Sequence, residues 1–276
     1  MPEVELSAGP IEYSDTGGDG PVLVLLHGLT MDGTLWRKVV PGLAGYRCIL
    51  PTLPLGGHRT PMRPDADLSM PGMVQLMWEF LEKLDLRDVT LVLSDWGGAQ
   101  YLISEEKADR VGRLVMVACE AFDNYPPGLP GWLIVQAARM PGGLAAVMRL
   151  LRLQAFRRAP GGWGWMSKRP VPREVMDGWF RPATDSAEIR RDIKKYGLSV
   201  PPKETLLEWA DRLKAFDRPV LVVWATEDKV MPREHGRRLA DLFPDAKLVE
   251  VEDSYTLIPE DRPDVLIKEL REFVPA

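Results

Sequence analysis

The stretch that decides the fold is Val89-Thr90-Leu91-Val92-Leu93-Ser94-Asp95-Trp96-Gly97-Gly98. Residues 89–93 form an almost unbroken apolar run, which is typical of a strand covered on both faces. Gly97 and Gly98 are small enough for a following helix to approach that strand closely. A sharp strand-to-helix turn of this kind holds one residue, here Asp95, in a strained position at the sheet's carboxyl edge. The alternative is that Asp95 only caps the following helix.

Similar apolar runs recur along the chain and alternate with amphipathic helical stretches. Strands are predicted at residues 22–26, 47–50, 89–93, 114–118, 219–224 and 247–251, with helices at 71–84, 232–243 and 263–273. This alternation predicts an α/β fold with a mostly parallel sheet flanked by helices on both faces. A short run at residues 11–14 is predicted to add an antiparallel edge.

The alternation stops between residues 122 and 216, where Pro, Gly and Trp are frequent and no strand is predicted. Candidate helices are at residues 131–139, 142–156, 172–180 and 186–196. The pattern predicts a helical lid (cap) of residues 122–216, inserted after the sixth strand into a core of residues 1–121 and 217–276. Such a cap would cover the sheet edge at which open α/β sheets bind ligands.

The charge of the chain argues against a nucleic-acid-binding protein. The chain has 276 residues and a formal net charge of −5, and neither this balance nor any run of Lys or Arg predicts the basic face that nucleic-acid binding needs. The arginines at 149, 152, 157 and 158 alternate with leucine; a solvated face is the favoured interpretation, and contact between lid and substrate is the alternative.

The sequence also bears on the localisation of the protein and on its cofactors. No apolar stretch approaches the roughly 20 residues that span a bilayer, and the acidic N-terminus lacks a signal-peptide core. We therefore expect a cytoplasmic protein with no membrane partner, and buried free thiols at Cys48 and Cys119. Histidine and cysteine spacing predicts no metal, and no glycine-rich loop predicts another cofactor. The expected partner is a small-molecule substrate. A homodimer is possible.

Two motifs carry a family resemblance. Ser94-Asp95-Trp96-Gly97-Gly98 resembles the nucleophile elbow of haloalkane dehalogenases and epoxide hydrolases, the branch of the α/β-hydrolase superfamily that uses an aspartate nucleophile. Leu25-Leu26-His27-Gly28-Leu29 resembles the superfamily's His-Gly turn. The resemblance covers residues 10–120 and 215–274. It implies that Asp95 is the nucleophile and that the backbone N–H groups of Leu29 and Trp96 stabilise an oxyanion.

The acid and the base of such a site come later in the chain. Residues 222–232 resemble the superfamily's acid loop and place Asp228 in the acid position. In residues 252–263 the position of the usual catalytic histidine falls on Thr256, because Glu260 and Asp261 fix the register. No histidine follows residue 235. An ester on Asp95 normally needs a histidine-activated water for hydrolysis, and threonine cannot replace that base.

Other polar residues are expected near the same edge. His58 is a possible substitute base, although a structural role in its loop is the alternative. Glu120 follows the strand at 114–118 and resembles a second acid position; the alternative is a hinge of the cap. Tyr255 is expected beside the substrate, and with Tyr125 and Tyr196 it is also a candidate proton donor unless these rings only pack.

Two departures from the family pattern lie beside the elbow. The Trp96 indole matches a halide-stabilising tryptophan of the dehalogenases, but Leu29 stands where those enzymes usually have asparagine. Thr30 stands where epoxide hydrolases have proline. Each of the two halves of the branch is therefore matched only in part.

Three functional classes remain. The favoured one is an epoxide hydrolase- or dehalogenase-like enzyme that acts on a small-to-medium, largely apolar substrate through Asp95. The second is a non-hydrolytic cyclase, lyase or isomerase in which Asp95 is a general acid/base and Tyr255 and Thr256 shape or polarise the substrate. The third is a catalytically silent ligand-binding protein on the same fold.

Overall fold

The computed structural model describes residues 1–275. Its sheet has eight strands in the order β1-β2-β4-β3-β5-β6-β7-β8. The strands are β1 (Glu3–Leu6), β2 (Gly9–Asp15), β3 (Val22–Leu25), β4 (Arg47–Pro51), β5 (Val89–Asp95), β6 (Val111–Cys119), β7 (Val220–Ala225) and β8 (Ala246–Val251).

Strand direction confirms the predicted fold class. β3 to β8 pair in parallel, whereas β1 pairs with β2, and β2 with β4, in antiparallel ladders. The predicted edge at residues 11–14 lies inside β2. β1 was not predicted, because its four residues alternate between charged and apolar side chains and fall below the length at which a strand pattern is distinctive.

The helices of the described residues cover both faces of the sheet and form the segment between β6 and β7. They are α1 (Met70–Lys83), α2 (Gly128–Arg139), α3 (Gly143–Leu150), α4 (Gln154–Arg157), α5 (Arg173–Asp185), α6 (Ala187–Leu198), α7 (Lys203–Arg212), α8 (Arg233–Leu242), α9 (Ile258–Asp261) and α10 (Pro263–Phe273), with short 3-10 helices at Gly33–Trp36, Val40–Gly42, Gly98–Leu102, Trp163–Trp165 and Leu213–Ala215. Ser69 caps α1 through the Gly72 N–H, so that this predicted helix start is confirmed.

Three helical predictions differ from the structure. The predicted helix at 142–156 is divided into α3 and α4, and the Arg157 side chain donates to the Leu151 carbonyl that the end of α3 leaves free. α7 was not predicted, because only Leu206 and Ala210 of its residues are buried and the apolar stripe is narrow. The elbow is followed by the 3-10 helix Gly98–Leu102 rather than by an α-helix.

The segment between β6 and β7 contains α2 to α7 and, in the described residues, no strand. We call the part from residue 122 to 216 the cap; its treatment as a separate domain stays a prediction. Direct hydrogen bonds hold it to the core: the Trp179 indole donates to Thr34 Oγ1 at 2.8 Å, and the Met62 N–H donates to Asp192 at 2.8 Å. The cap therefore lies over the carboxyl edge.

Burial of the central strands positions the site. All seven residues of β5 are buried, as are the six of β7. Each fully buried large aliphatic side chain contributes about 1.5–3 kcal/mol relative to an exposed one, so the carboxyl ends of β5, β6 and β7 project from the most constrained part of the molecule. Within residues 1–275, no helix has the length and apolar character needed to cross a bilayer.

Candidate active site

Hydrogen bonds to backbone carbonyl groups hold the elbow at the end of β5. Asp95 has a φ of +63°, a conformation that costs a non-glycine residue free energy. The Glu120 N–H donates to the Asp95 carbonyl at 2.9 Å. Gln100 Nε2 donates to the carbonyls of Gly97 (2.7 Å) and Glu120 (2.8 Å). A Cβ at Gly97 would lie 1.9 Å from the Glu120 carbonyl oxygen, so only glycine allows this closure.

The Asp95 carboxyl group lies against the His-Gly turn. Its Oδ2 accepts a hydrogen bond from the Leu29 N–H at 3.2 Å, and a Cβ at Gly28 would lie 1.8 Å from the same oxygen. Burial raises the pKa of Asp95 to about 7; the Leu29 hydrogen bond opposes this rise, and the charge of Asp228 adds to it. Both protonation states are therefore populated near neutral pH, and only the ionised state is nucleophilic.

The two backbone groups expected at an oxyanion are engaged with the protein itself. The Leu29 N–H is bonded to Asp95, and the Trp96 N–H donates to the Ser94 carbonyl at 2.8 Å. The structure thus brings Leu29 and Trp96 beside Asp95 but does not converge their N–H groups on one free point. The Trp96 indole N–H donates to the Tyr196 hydroxyl at 2.7 Å, and this bond connects the elbow to α6 of the cap.

At the other end of the edge, Asp228 and Thr256 are in direct contact. Asp228 Oδ1 accepts from the N–H groups of Val230 (2.8 Å) and Met231 (2.9 Å) and from Thr256 Oγ1 (2.8 Å). Asp228 Oδ2 is buried and has no partner among residues 1–275. Burial raises the pKa of Asp228 to about 6, against the lowering effect of these hydrogen bonds. Thr256 is fully buried.

Glu120 places a second carboxyl group near Asp95. It follows β6 directly, is 9% exposed, and its Oε2 lacks a partner among the described residues. Burial holds its pKa well above the ordinary glutamate value, and the charge of Asp95 adds to this rise. Burial therefore favours the protonated form of Glu120, which can donate a proton.

These groups meet a cavity of about 420 Å³ between core and cap. Its walls are mainly apolar side chains of the cap. The polar or elbow groups that reach it are Leu29, Thr30, Asp95, Trp96, Glu120, Tyr125, Gln136 and Tyr196. Such a cavity fits a small-to-medium apolar molecule with few polar groups.

His58 lies outside this lining. Its Nε2 is 3.2 Å from Asp192 Oδ2 on α6, and its Nδ1 accepts from the Gly56 N–H at 3.2 Å. Both ring nitrogens are therefore used in a buried contact between core and cap. His27 also has a structural position, since its Nε2 accepts from the Leu53 N–H at 2.8 Å and burial lowers its pKa to about 4.

Tyr255 and Thr256 also lie outside the cavity lining. The Tyr255 ring is flanked by two ammonium groups, with Lys229 Nζ 4.5 Å and Lys168 Nζ 5.6 Å from its centroid. These cation–π contacts occupy the ring at the surface of the loop. Of the residues predicted for the site, the structure brings Asp95, Leu29, Trp96 and Glu120 to the cavity, and it places Asp228 and Thr256 behind them.

Sequence reasoning missed Gln100 and Asp192. Gln100 is 1% exposed and joins the elbow to Glu120; the signal was a lone amide in an apolar stretch after the elbow. Asp192 is fully buried beside His58, and its signal was an acid on the apolar side of a predicted helix. Among residues 1–275, no three His, Cys, Asp or Glu side chains are grouped so as to hold a metal ion.

Known proteins resemble this chain over most of its length. The sequence profile of the α/β hydrolase fold matches residues 21–263. The cis-3-alkyl-4-alkyloxetan-2-one decarboxylase of Xanthomonas campestris is 26% identical over 96% of this chain and 92% of its own. A haloalkane dehalogenase of Mesorhizobium japonicum is 35% identical over 45% of this chain and 40% of its own. A haloalkane dehalogenase variant of Agrobacterium tumefaciens superposes with a TM-score of 0.79 at 18% identity, over 99% of this chain and 96% of its own.

These findings confirm the predicted fold, the resemblance to the dehalogenase branch and the prediction of a hydrolase-family enzyme. The matched residues include Asp95, Asp228 and Thr256. This chain belongs to the α/β hydrolase fold family.

Proposed function

We propose that this chain is an enzyme that acts on a small-to-medium, largely apolar substrate through Asp95, and that its turnover does not use a histidine-activated water. One observation carries the proposal. The Asp95 carboxyl group faces an apolar cavity, whereas the Thr256 hydroxyl, at the position expected for the base, donates to Asp228 at 2.8 Å.

The first candidate reaction is nucleophilic attack, as the resemblance to epoxide hydrolases and dehalogenases implies. The ionised Asp95 oxygen forms a bond to an electrophilic carbon while that carbon's bond to a ring oxygen or halide breaks. A leaving alkoxide would take the proton held by Glu120, whose Oε2 has no other partner among the described residues. This step yields an ester on Asp95 and needs no base.

The second candidate is a lyase reaction, and two observations favour it. The decarboxylase relative, which matches 96% of this chain, acts on an oxetan-2-one. Loss of carbon dioxide from that four-membered ring leaves an alkene, and this balance contains no water. The carboxyl groups of Asp95 and Glu120 both have raised pKa values, so one can be ionised while the other carries a proton. A missing water-activating base would not impair such a reaction.

The displaced-base alternative has no support in these contacts. His58 would have to leave Asp192 and the Gly56 N–H to reach the cavity. We therefore treat His58 as a residue that joins core and cap.

The deciding experiment is incubation with panels of epoxides, haloalkanes and dialkyl β-lactones, followed by intact-protein mass spectrometry and gas chromatography. Nucleophilic attack predicts a covalent adduct on Asp95, whose rate of formation rises with pH around a midpoint near 7. A lyase predicts alkene and carbon dioxide without a lasting adduct.

Matched variants complete the test. Asp95→Asn should abolish either signal, and His58→Ala should retain it. Saturable binding with neither adduct nor product, unaffected by Asp95→Asn, would contradict the proposal and indicate a silent ligand-binding protein.

A further inference from the structure

The cap segregates charge along the chain. Residues 124–173 contain eight Lys or Arg residues and no Asp or Glu, a formal charge of +8 within a chain of net charge −5. The rest of the molecule therefore carries −13. Five of these eight cations form ion pairs with acidic residues outside the stretch, and the other three, among residues 1–275, form none.

The same stretch carries most of the exposed apolar surface. Ten large hydrophobic residues of the described chain are exposed, and seven of them lie in residues 124–173. These seven are Leu129, Trp132, Leu133, Met140, Leu150, Leu153 and Phe156. Trp132 is 51% exposed and Leu153 59%, so they do not serve the core of this molecule.

This apolar surface continues into the active-site cavity. Leu133, Met140 and Phe156 line the cavity and are also 45%, 58% and 40% exposed. A side chain that lines the cavity and is also exposed to solvent lies at the entrance of that cavity. We call these three residues, with the four other exposed apolar residues of 124–173 and Arg139, Arg149 and Arg158, the mouth face.

Its three arginines are available to an anionic partner. Arg139, Arg149 and Arg158 are exposed, and among residues 1–275 none forms an ion pair, in contrast to Arg152 with Asp185 and Arg157 with Asp177. Each adjoins or lies close to an exposed apolar residue in the chain: Met140, Leu150 and Phe156 respectively.

We propose that the mouth face binds the surface of an anionic lipid bilayer and that the cavity draws its apolar substrate from that surface. Helices with Trp, Leu and Phe beside arginine lie in the interface of such bilayers, and basic residues are attracted to anionic headgroups. The net negative charge of the rest of the chain would orient the mouth face toward the lipid.

A second copy of the chain fits this face poorly. A two-fold interface places the same patch against itself, so the three arginines of the mouth face would meet the same three arginines of the second copy. The lipid proposal also replaces the expectation of no membrane partner, because that expectation considered only segments that span a bilayer.

The test is sedimentation of the full chain with vesicles of phosphatidylcholine alone and with one third phosphatidylglycerol. We expect binding to the anionic vesicles, weakened by 0.5 M salt, and a blue shift of the fluorescence that is absent in Trp132→Phe. Arg139→Gln/Arg149→Gln/Arg158→Gln should lower the partition coefficient about 100-fold, from about fivefold per arginine. Trp132→Gln/Leu153→Gln should lower it about tenfold.

Matched controls remove equivalent residues elsewhere. Arg87→Gln/Lys214→Gln/Lys268→Gln removes three exposed cations outside the mouth face, and Leu198→Gln/Leu207→Gln removes two of the other exposed leucines; both should bind like the unmodified chain. Absence of binding to anionic vesicles, an equal loss in either control, or a stable dimer that buries Trp132 in solution would overturn the proposal. Asp95→Asn should bind vesicles normally, so this test is independent of the proposed reaction.

Discussion

The β5 end and the β7–β8 end of the catalytic edge differ in what they retain. At the β5 end, Asp95 has its strained φ, its Leu29 hydrogen bond and its cavity. At the β7–β8 end, the acid loop is formed completely, but its partner is the hydroxyl of Thr256. The difference teaches that the loop at the second end can be fully formed around a residue, Thr256, that cannot act as a base near neutral pH.

The largest expected effect is a difference in activity between variants at the two ends of the edge. Asp95→Asn should lower turnover or adduct formation at least about 10⁴-fold, because the reacting oxygen is lost. Asp228→Asn should cost about tenfold or less, since Asp228 has no histidine to orient. The measurement is the initial rate on a substrate identified by the panels. Equal losses in both variants would show that the second end takes part in the chemistry.

The next effect tests whether residue 256 is the base position. In Thr256→His, the buried Asp228 Oδ2, which has no partner among the described residues, can accept from the new imidazole. Hydrolysis of the Asp95 ester should accelerate about 10²-fold or more, measured by decay of the adduct mass.

Thr256→Val is the control for this gain, because it removes the hydroxyl without adding a base. No acceleration in a folded Thr256→His variant, or the same acceleration in Thr256→Val, would place the base position elsewhere in the chain.

A third effect concerns stability at the β5 end. The folded state raises the Asp95 pKa from 3.8 to about 7, so it binds the proton more tightly than the unfolded state does. The Asp95 contribution therefore lowers the free energy of unfolding as pH rises from about 4 to about 7. Asp95→Asn removes this loss and should gain roughly 2–3 kcal/mol over the unmodified chain between pH 5 and pH 8.

Urea unfolding at the two pH values measures that gain. The exposed carboxyl variant Asp109→Asn should show no pH-dependent gain. If Asp95→Asn gains nothing at pH 8, the Asp95 carboxyl group is better solvated than its burial indicates.

The smallest effect tests the contact at the β7–β8 end. Thr256→Val should cost about 1–2 kcal/mol, because a hydrogen bond to a buried carboxyl group is lost. It should also raise the Asp228 pKa further, since the Thr256 hydroxyl lowers it. Thr256→Ser keeps the hydroxyl and should retain most of the stability in urea unfolding; a serine variant weaker than the valine variant would indicate that methyl packing dominates.

Local patterns predicted much of the fold. The parallel strands β3 to β8 were predicted within one to three residues at each end, because buried parallel strands appear as apolar runs. The cap helices were less predictable, since α7 buries few residues and the break between α3 and α4 depends on where Arg157 points.

The site was predictable where motifs are contiguous and not where distant segments meet. Asp95 and the Asp228 loop follow from short motifs. The pairing of His58 with Asp192 joins residues 134 positions apart, and no local pattern reports such a contact. The use of the Trp96 N–H by Ser94 is a detail of backbone geometry that residue types do not encode.

The two oxygens of Asp228 have separate duties. Oδ1 ties the loop by accepting from two backbone N–H groups as well as from Thr256, whereas Oδ2 is the oxygen without a partner in the described structure. The hydrogen bonds by which this aspartate shapes its loop thus all use one oxygen atom, Oδ1. We therefore expect that a substitution at residue 256 can change the partner of this carboxyl group while the two backbone hydrogen bonds keep the shape of the loop.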